Sequence, residues 1–302
     1  MEEIQEGRIV YHELGNYGVQ ILKTNEIVEA CPSGNVKKKK NILVGDQVKI
    51  KKSYDQYVIG EVLERKNELI RPPVANISQM IIVLSLSHPS PDYMLLDKEL
   101  ILCFAKRIKP VIVVNKMDYL EQDETLSLEI DYIYKVYQKM NIPCVFTSVK
   151  NKTGIQELKE LLSGEVSAFS GNSGVGKSSI IKEMISEQDI QIGDIGKKTG
   201  HGKHTTKHIR LYEIDHTSFI LDTPGFSSYE LYDISYKDLK EYYPDFKEYH
   251  CDFKDCNHVT EGENVCAIKR KVALDEVFQK RYERYVYLYQ KLKEMEDKKY
   301  KK

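Results

Sequence analysis

Apolar and polar positions alternate with a period of two in four short runs near the start of the chain: GRIVYHEL, YGVQILKT, GDQVKIKK and YVIGEVLE. That alternation predicts half-buried β-strands. Turn residues separate the runs, as at Gly15-Asn16 and Pro32-Ser33-Gly34-Asn35. Roughly five short strands at this spacing predict a small β-barrel. The segment RPPVAN, Arg71 to Asn76, breaks the pattern, and its two prolines predict an extended linker.

The pattern then changes period. MIIVLSL, Met80 to Leu86, is a continuous apolar run, as expected of a strand buried on both faces. A helical pattern follows from Leu95 to Arg107, then a strand, PVIVVNKMD, that ends in a motif. Next come a helix around Leu126 to Met140, the strand PCVFTSVK, a helix from Ile155 to Leu162, a strand from Val166 to Ser170 and a helix from Ser178 to Ile185. Two further strands, HIRLYEI and SFILDTPG, complete an α/β pattern with a mostly parallel sheet. In such sheets ligands bind at the carboxyl ends of strands. After Gly225 the chain is rich in Tyr, Lys and Glu without strand alternation, and Leu274 to Lys302 is helical in pattern. Three domains are expected: a β-barrel over 1–70, an α/β domain over 71–228 and a small helical domain over 229–302.

Composition narrows the function classes. The formal net charge is −1, so attraction to nucleic acid must come from local patches. Candidates are Lys37–Lys40, then Lys49, Lys51 and Lys52 with Tyr54 and Tyr57, and the terminal lysines. No run of 18 apolar residues exists, so no membrane span is expected. The opening MEEIQEGRIV lacks the basic and apolar regions of a signal peptide. A cytoplasmic, reducing location without disulfides is expected for the six cysteines.

The candidate chemistry lies in three places. GNSGVGKS, Gly171 to Ser178, follows a strand and opens a helix, the context of a phosphate-binding loop. Its residues Gly171, Asn172, Ser173, Gly174, Val175 and Gly176 would wrap phosphates with backbone N–H groups, with Ser179 just beyond. Lys177 supplies charge to the β- and γ-phosphates, and Ser178 offers a hydroxyl to Mg²⁺. NKMD, Asn115 to Asp118, selects guanine: the Asp118 carboxylate accepts N1–H and the exocyclic amine, while Asn115 and Lys116 brace neighbouring loops. Ser148-Val149-Lys150 ends the following strand as a further guanine contact, so Ser148 and Lys150 join the list. DTPG places Asp222 near Mg²⁺ and Gly225 beside the γ-phosphate.

The water-orienting glutamine of many GTPases is missing after Gly225, where Phe226, Ser227, Ser228 and Tyr229 follow. Between the loop and DTPG runs KKTGHGKHTTKHIR, with five Lys/Arg, three His and no acid. Thr205 or Thr206 would bind Mg²⁺ there, and His204 would polarise water in place of the glutamine. NKMD precedes both other motifs, the reverse of the Ras-like order, so the domain reads as circularly permuted.

Cys251-x4-Cys256-x-His258-x7-Cys266 offers three thiols and one imidazole, a ligand set suited to one structural Zn²⁺. A small helical domain needs such a staple.

Taken in order, NKMD, SVK, GNSGVGKSS, GKHTT, DTPGF and the Cys-Cys-His-Cys cluster resemble the ribosome small-subunit-dependent GTPase A family over nearly the whole chain. RPPVANI is similar to that family's linker, and the β-rich start to its OB-fold barrel. The resemblance implies GTP hydrolysis to GDP, stimulated by the small ribosomal subunit with its 16S rRNA and proteins, in late assembly of that subunit, by a cytoplasmic monomer. VTEGENV, between His258 and Cys266, is longer than the family's usual spacer, and Lys203 stands where the family often has arginine. Two rival readings are a signalling GTPase with protein partners and an RNA-binding module with vestigial hydrolysis. The barrel and metal cluster argue against the first, and intact Lys177, Ser178, Asp222 and Gly225 against the second.

Overall fold

The computed structural model describes residues 3–13, 15–39, 41–185, 209–222, 231 and 233–299. Five strands, β1 (Ile4–Glu13), β2 (Asn16–Ile21), β3 (Ile27–Pro32), β4 (Gln47–Ser53) and β5 (Gln56–Val62), close into a barrel. β1 pairs antiparallel with both β2 and β4, and β3 pairs parallel with β5. The alternation read from sequence puts Ile9, Val19, Val48, Ile50 and Ile59 inside, all buried. Lys37 and Lys38, expected in a loop, lie exposed on a short helix, α1 (Gly34–Lys39). Val36 is buried on its inner side, and its amide donates to Ser33 Oγ.

The linker also differs from expectation. β6 (Glu68–Ile70) and β7 (Pro73–Ala75) pair as a hairpin around the prolines. Leu69 and Val74 are buried beneath it, and the Ala75 amide donates to Val44 O, so the segment is packed onto the barrel.

The α/β domain follows as β8 (Gln79–Ser85), α2 (Tyr93–Lys106), β9 (Lys109–Asn115), α3 (Ser127–Tyr137), β10 (Cys144–Phe146), α4 (Ile155–Leu162), β11 (Val166–Ser170), α5 (Lys177–Met184), β12 (Arg210–Asp215) and β13 (Ser218–Asp222). The strand order is β10-β9-β8-β11-β13-β12. All pairs are parallel except β12 with β13. The expected helix to Met140 is α3 to Tyr137 followed directly by a 3₁₀ turn over Gln138–Met140, and Asn141 ends it with a left-handed φ of 56°. β12 is the free edge of this sheet, and barrel strand β1 adds to it through Tyr11 and Arg210. The Arg210 guanidinium stacks 5.0 Å from the Tyr11 ring, Arg8 lies 4.7 Å from the Phe219 ring, and Gln20 donates to Glu213 at 2.9 Å.

Among the described residues, the C-terminal module has 3₁₀ turns and two helices, α6 (Ala267–Val272) and α7 (Glu276–Lys299). Its core, with Leu231, Leu239, Tyr243, Phe246, Tyr285 and Leu288, takes in Ile101 of α2. Beside this seam sits a buried ionic network. Arg281 of α7, 2% exposed, donates to Asp97 of α2 at 2.5 Å and to Asp245 at 2.6 Å. Arg284 donates to the other Asp97 oxygen at 2.5 Å, and Tyr137 of α3 donates to Asp97 at 3.1 Å. Two guanidiniums face two carboxylates, so the cluster is neutral and nearly every polar atom has a partner. Breaking such a network strands a buried charge, at a cost of about 3–5 kcal/mol. Asp97→Ala is therefore expected to lower unfolding stability by about 3–5 kcal/mol and to let the C-terminal module unfold separately from the α/β domain. Chemical denaturation followed by two probes, one in each part, checks this: a single coincident transition of unchanged midpoint would refute it.

Candidate functional site

The carboxyl ends of β9, β10, β11 and β13 gather the sequence motifs around one crevice. β11 leads into Gly171, whose φ of 128° brings the backbone against β8. A Cβ there would lie 2.1 Å from Val83 O. Gly176 has a φ of 100°, and a Cβ on it would lie 2.2 Å from Asn115 Nδ2. Glycine is thus required at both positions, once for the strand beneath the loop and once for the neighbouring motif. Asn172 and Val175 complete the loop, with Val175 buried and Ser173 and Gly174 exposed. Lys177 opens α5, and its ammonium donates to the carbonyls of Gly171 at 2.6 Å and Asn172 at 2.7 Å across the mouth of the loop. Ser178 and Ser179 are exposed in the first turn of α5.

NKMD leaves β9 and touches the loop directly. Asn115 is buried and donates to Val175 O at 2.9 Å, and its own oxygen accepts from Thr147 at 3.1 Å. One side chain therefore ties three loops together. Lys116 adopts a left-handed φ of 66° and donates to His88 O. Asp118 follows in a 3₁₀ turn, largely buried, with its Oδ1 accepting from Ser148 Oγ at 2.7 Å and Lys150 3.9 Å from Oδ2. The Asp118 carboxylate is thus held in place by the serine on one oxygen and the lysine near the other. The loop carrying Ser148 is closed by reciprocal backbone bonds with Thr153.

Asp222 ends β13 at the same edge of the sheet. His204, Thr205, Thr206 and Gly225 lie outside the described residues.

Three residues of this crevice were not singled out from the sequence. His88 receives the Lys116 ammonium on its carbonyl. Asp92 caps α2 by accepting from the Leu95 amide at 2.9 Å, and with its other oxygen accepts from Asn172 at 3.1 Å. Its signal was the Pro-Asp ahead of an apolar helical run. Glu99 of α2 is fully buried below the loop, and burial pushes its carboxyl up to about 8. Its signal was an acid immediately ahead of the apolar run LILCF, Leu100 to Phe104.

The metal cluster is assembled as its spacing suggested. Cys251, Cys256, His258 and Cys266 bring their ligand atoms within 4.8 Å of one another. His258 Nδ1 lies 3.5, 3.4 and 3.6 Å from the sulfurs of Cys251, Cys256 and Cys266, and the Cys251 and Cys266 sulfurs are 3.9 Å apart. A tetrahedron with metal–sulfur bonds of about 2.3 Å and metal–nitrogen bonds of about 2.0 Å has edges of about 3.5 Å between sulfur and nitrogen and about 3.8 Å between sulfurs. The four atoms therefore fit a tetrahedral ion, and 3.9 Å rules out a disulfide between Cys251 and Cys266. Burial lowers the His258 pKa, which favours the neutral imidazole a metal needs. The amide of Ala267 donates to Cys251 Sγ at 3.3 Å. Tyr282 and Tyr285 of α7 donate to the carbonyls of His258 and Asn257 at 2.6 and 2.7 Å. The long spacer is turned by Asn257, whose side chain accepts from the amides of Val259 and Thr260.

Residues 62–232 match the family profile described as RsgA GTPase. A protein of Caldanaerobacter subterraneus subsp. tengcongensis named Small ribosomal subunit biogenesis GTPase RsgA is 37% identical, with both chains covered in full. The crystal structure of YjeQ from Thermotoga maritima superposes with a TM-score of 0.82 at 33% identity, covering 96% of this chain and 99% of that one. The crystal structure of YloQ, described as a circularly permuted GTPase, gives 0.81 at 31% identity, covering 97% and 96%. The likeness runs through the barrel, the permuted α/β domain and the C-terminal module alike, and the chain belongs to the RsgA GTPase family.

Proposed function

We propose that this GTPase acts on the small ribosomal subunit as a nucleotide-dependent binding and release switch in subunit maturation. The observation that carries the reading is the Asn115 clasp on Val175 O, which joins a guanine-reading motif to a phosphate loop in permuted order. The name of the full-length relative supports the choice of partner.

In this reading Asp118 accepts from guanine N1–H and the exocyclic amine, with Lys116, Ser148 and Lys150 framing the base. The loop amides from Gly171 to Gly176 cradle the phosphates, and Lys177 moves its charge onto the β- and γ-oxygens. Ser178, Thr205 or Thr206 and Asp222 would hold Mg²⁺, which would neutralise charge between the β- and γ-phosphates. Gly225 reports the γ-phosphate, and His204 orients the attacking water. Cys251, Cys256, His258 and Cys266 hold one structural Zn²⁺. Lys37, Lys38, Lys51, Lys52 and the fully exposed Tyr54 are contacts for ribosomal RNA, with Lys52 5.8 Å from the Tyr57 ring.

The base assignment predicts that Asp118→Asn weakens GTP binding by about 10²-fold, through loss of charged hydrogen bonds, and gains affinity for xanthosine nucleotides. Titration with both nucleotides measures it, and wild-type GTP affinity would remove Asp118 from the base site.

Metal analysis of purified protein is expected to give one zinc per chain. A strong chelator should unfold the C-terminal module while nucleotide binding persists. Absence of zinc, with Cys251 and Cys256 freely alkylated in the native protein, would refute the assignment.

Added small subunits should raise GTP turnover, and subunit affinity should be higher with a non-hydrolysable GTP analogue than with GDP. The coupling is reciprocal, so subunits must tighten analogue binding by the same factor. Equal subunit affinity in both nucleotide states would end the switch reading, whatever the turnover.

A further inference from the structure

Beneath the phosphate loop, α2 presents a carboxyl that no motif requires. Glu99 is 1% exposed, and its Oε1 accepts from Ser170 Oγ, the hydroxyl of the residue leading into Gly171. Its Oε2 has no hydrogen-bond partner among the described residues, and neither has Ser85 Oγ at the end of β8. Both residues line one small cavity of about 10 Å³, whose other walls include Gly171, Asn172 and Val175 of the loop. That volume is about one water molecule. The charged groups acting on Glu99 come from two sides: Lys177 of α5 favours its ionised form, and Asp92, at the start of α2, disfavours it. Cys103, one turn along α2, is a buried thiol whose pKa burial pushes up.

We propose that Glu99 is a positioning residue of the phosphate loop: in its protonated form it holds Ser170 and the loop from below while Lys177 serves the phosphates, and in its ionised form it opposes polyphosphate binding. The proposal rests on the nucleotide-site reading given above. Its physical basis is charge. A neutral carboxyl adds no field to a site built for an anion, and its Oε2–H is a donor that a water in the shared cavity can accept and pass on to Ser85 Oγ. An ionised carboxyl in the same place puts a negative charge in low dielectric beneath the phosphates and draws the Lys177 ammonium toward itself. Burial is what keeps the proton on at neutral pH, with the carboxyl titrating near pH 8. The sign follows. Bound phosphate raises the Glu99 pKa further, so nucleotide affinity is full below the free protein's value and falls as pH rises through it, and binding near that pH takes up a proton.

The test uses the full chain and GDP with Mg²⁺. Affinity is measured at intervals from about pH 7 to pH 9 for wild type and for Glu99→Gln, which keeps shape and hydrogen bonds but cannot ionise. Nucleotide titration is common to both proteins, so the ratio of their dissociation constants isolates Glu99. The ratio of wild type to variant is expected to grow by about fivefold to tenfold across that range, the ionised fraction at one unit above the pKa being about nine-tenths. Calorimetry of wild type near pH 8 in two buffers of different ionisation heat should show uptake of about half a proton, a readout that does not depend on the variant folding. Parallel pH profiles, or no proton uptake, would overturn the role of Glu99 while leaving the nucleotide site intact. Absence of GDP binding at every pH would overturn both.

Discussion

The architecture depends on the pairing of β8 with a strand on each side. β9 lies along it from Gln79 to Ser85, and β11 from Gln79 to Ile82. β9 delivers Asn115 and β11 delivers Gly171, so the register of β8 decides whether these two strand ends meet. All seven β8 residues are buried, which specifies that register on both faces. The close approach of Gly171 to Val83 O then lowers the loop far enough for Asn115 to reach Val175 O across 60 residues of chain. Chain order does not matter to this contact. Pairing in space does, and so a permuted sequence can rebuild the same crevice.

The two flanking domains both join the α/β domain through apolar packing, with different polar contacts added. The C-terminal module shares an apolar core with α2 and is pinned by Asp97, Arg281, Arg284 and Asp245. Charges buried this deeply add little net stability over apolar packing, but they tolerate almost no displacement, because each half of the network is costly alone. The module and α2 therefore behave as one stiff unit. The barrel shares a continuous cluster of buried apolar side chains with the sheet, running from Ile9, Val19 and Leu69 to Met80, Leu211 and Phe219. A backbone bridge at Tyr11, the arginines stacked on Tyr11 and Phe219 and the hydrogen bond from Gln20 to Glu213 add to it.

What the sequence made legible follows from range. Glycine loops, continuous apolar strands and the Cys-Cys-His-Cys spacing are local patterns with local causes, and each was read close to where the structure puts it. Asp97 and Arg281 were not, because a charged residue on a helix reads as solvent-facing until its partner, 184 residues away, is known. Glu99 was missed for the same reason: only the packing of α2 against the end of β11 turns an acid in an apolar helix into a group beneath the Gly171 loop. The β6–β7 hairpin has strands of three residues each, too short for alternation to signal. α1 was hidden by a lysine run that masks one buried valine, Val36.

The permutation decides where the chain leads on either side of β12 and β13. The basic segment carrying His204 re-enters the described fold at Ile209 and continues into β12, the strand that barrel residue Tyr11 pairs with. The segment after Asp222 resumes at Leu231, inside the core of the C-terminal module. β12 therefore leads from the sheet to the barrel, and Leu231, past β13, to the C-terminal module. In the permuted order both flanking domains are reached from the two strands that close this side of the sheet, and both pack against the α/β domain through buried apolar residues.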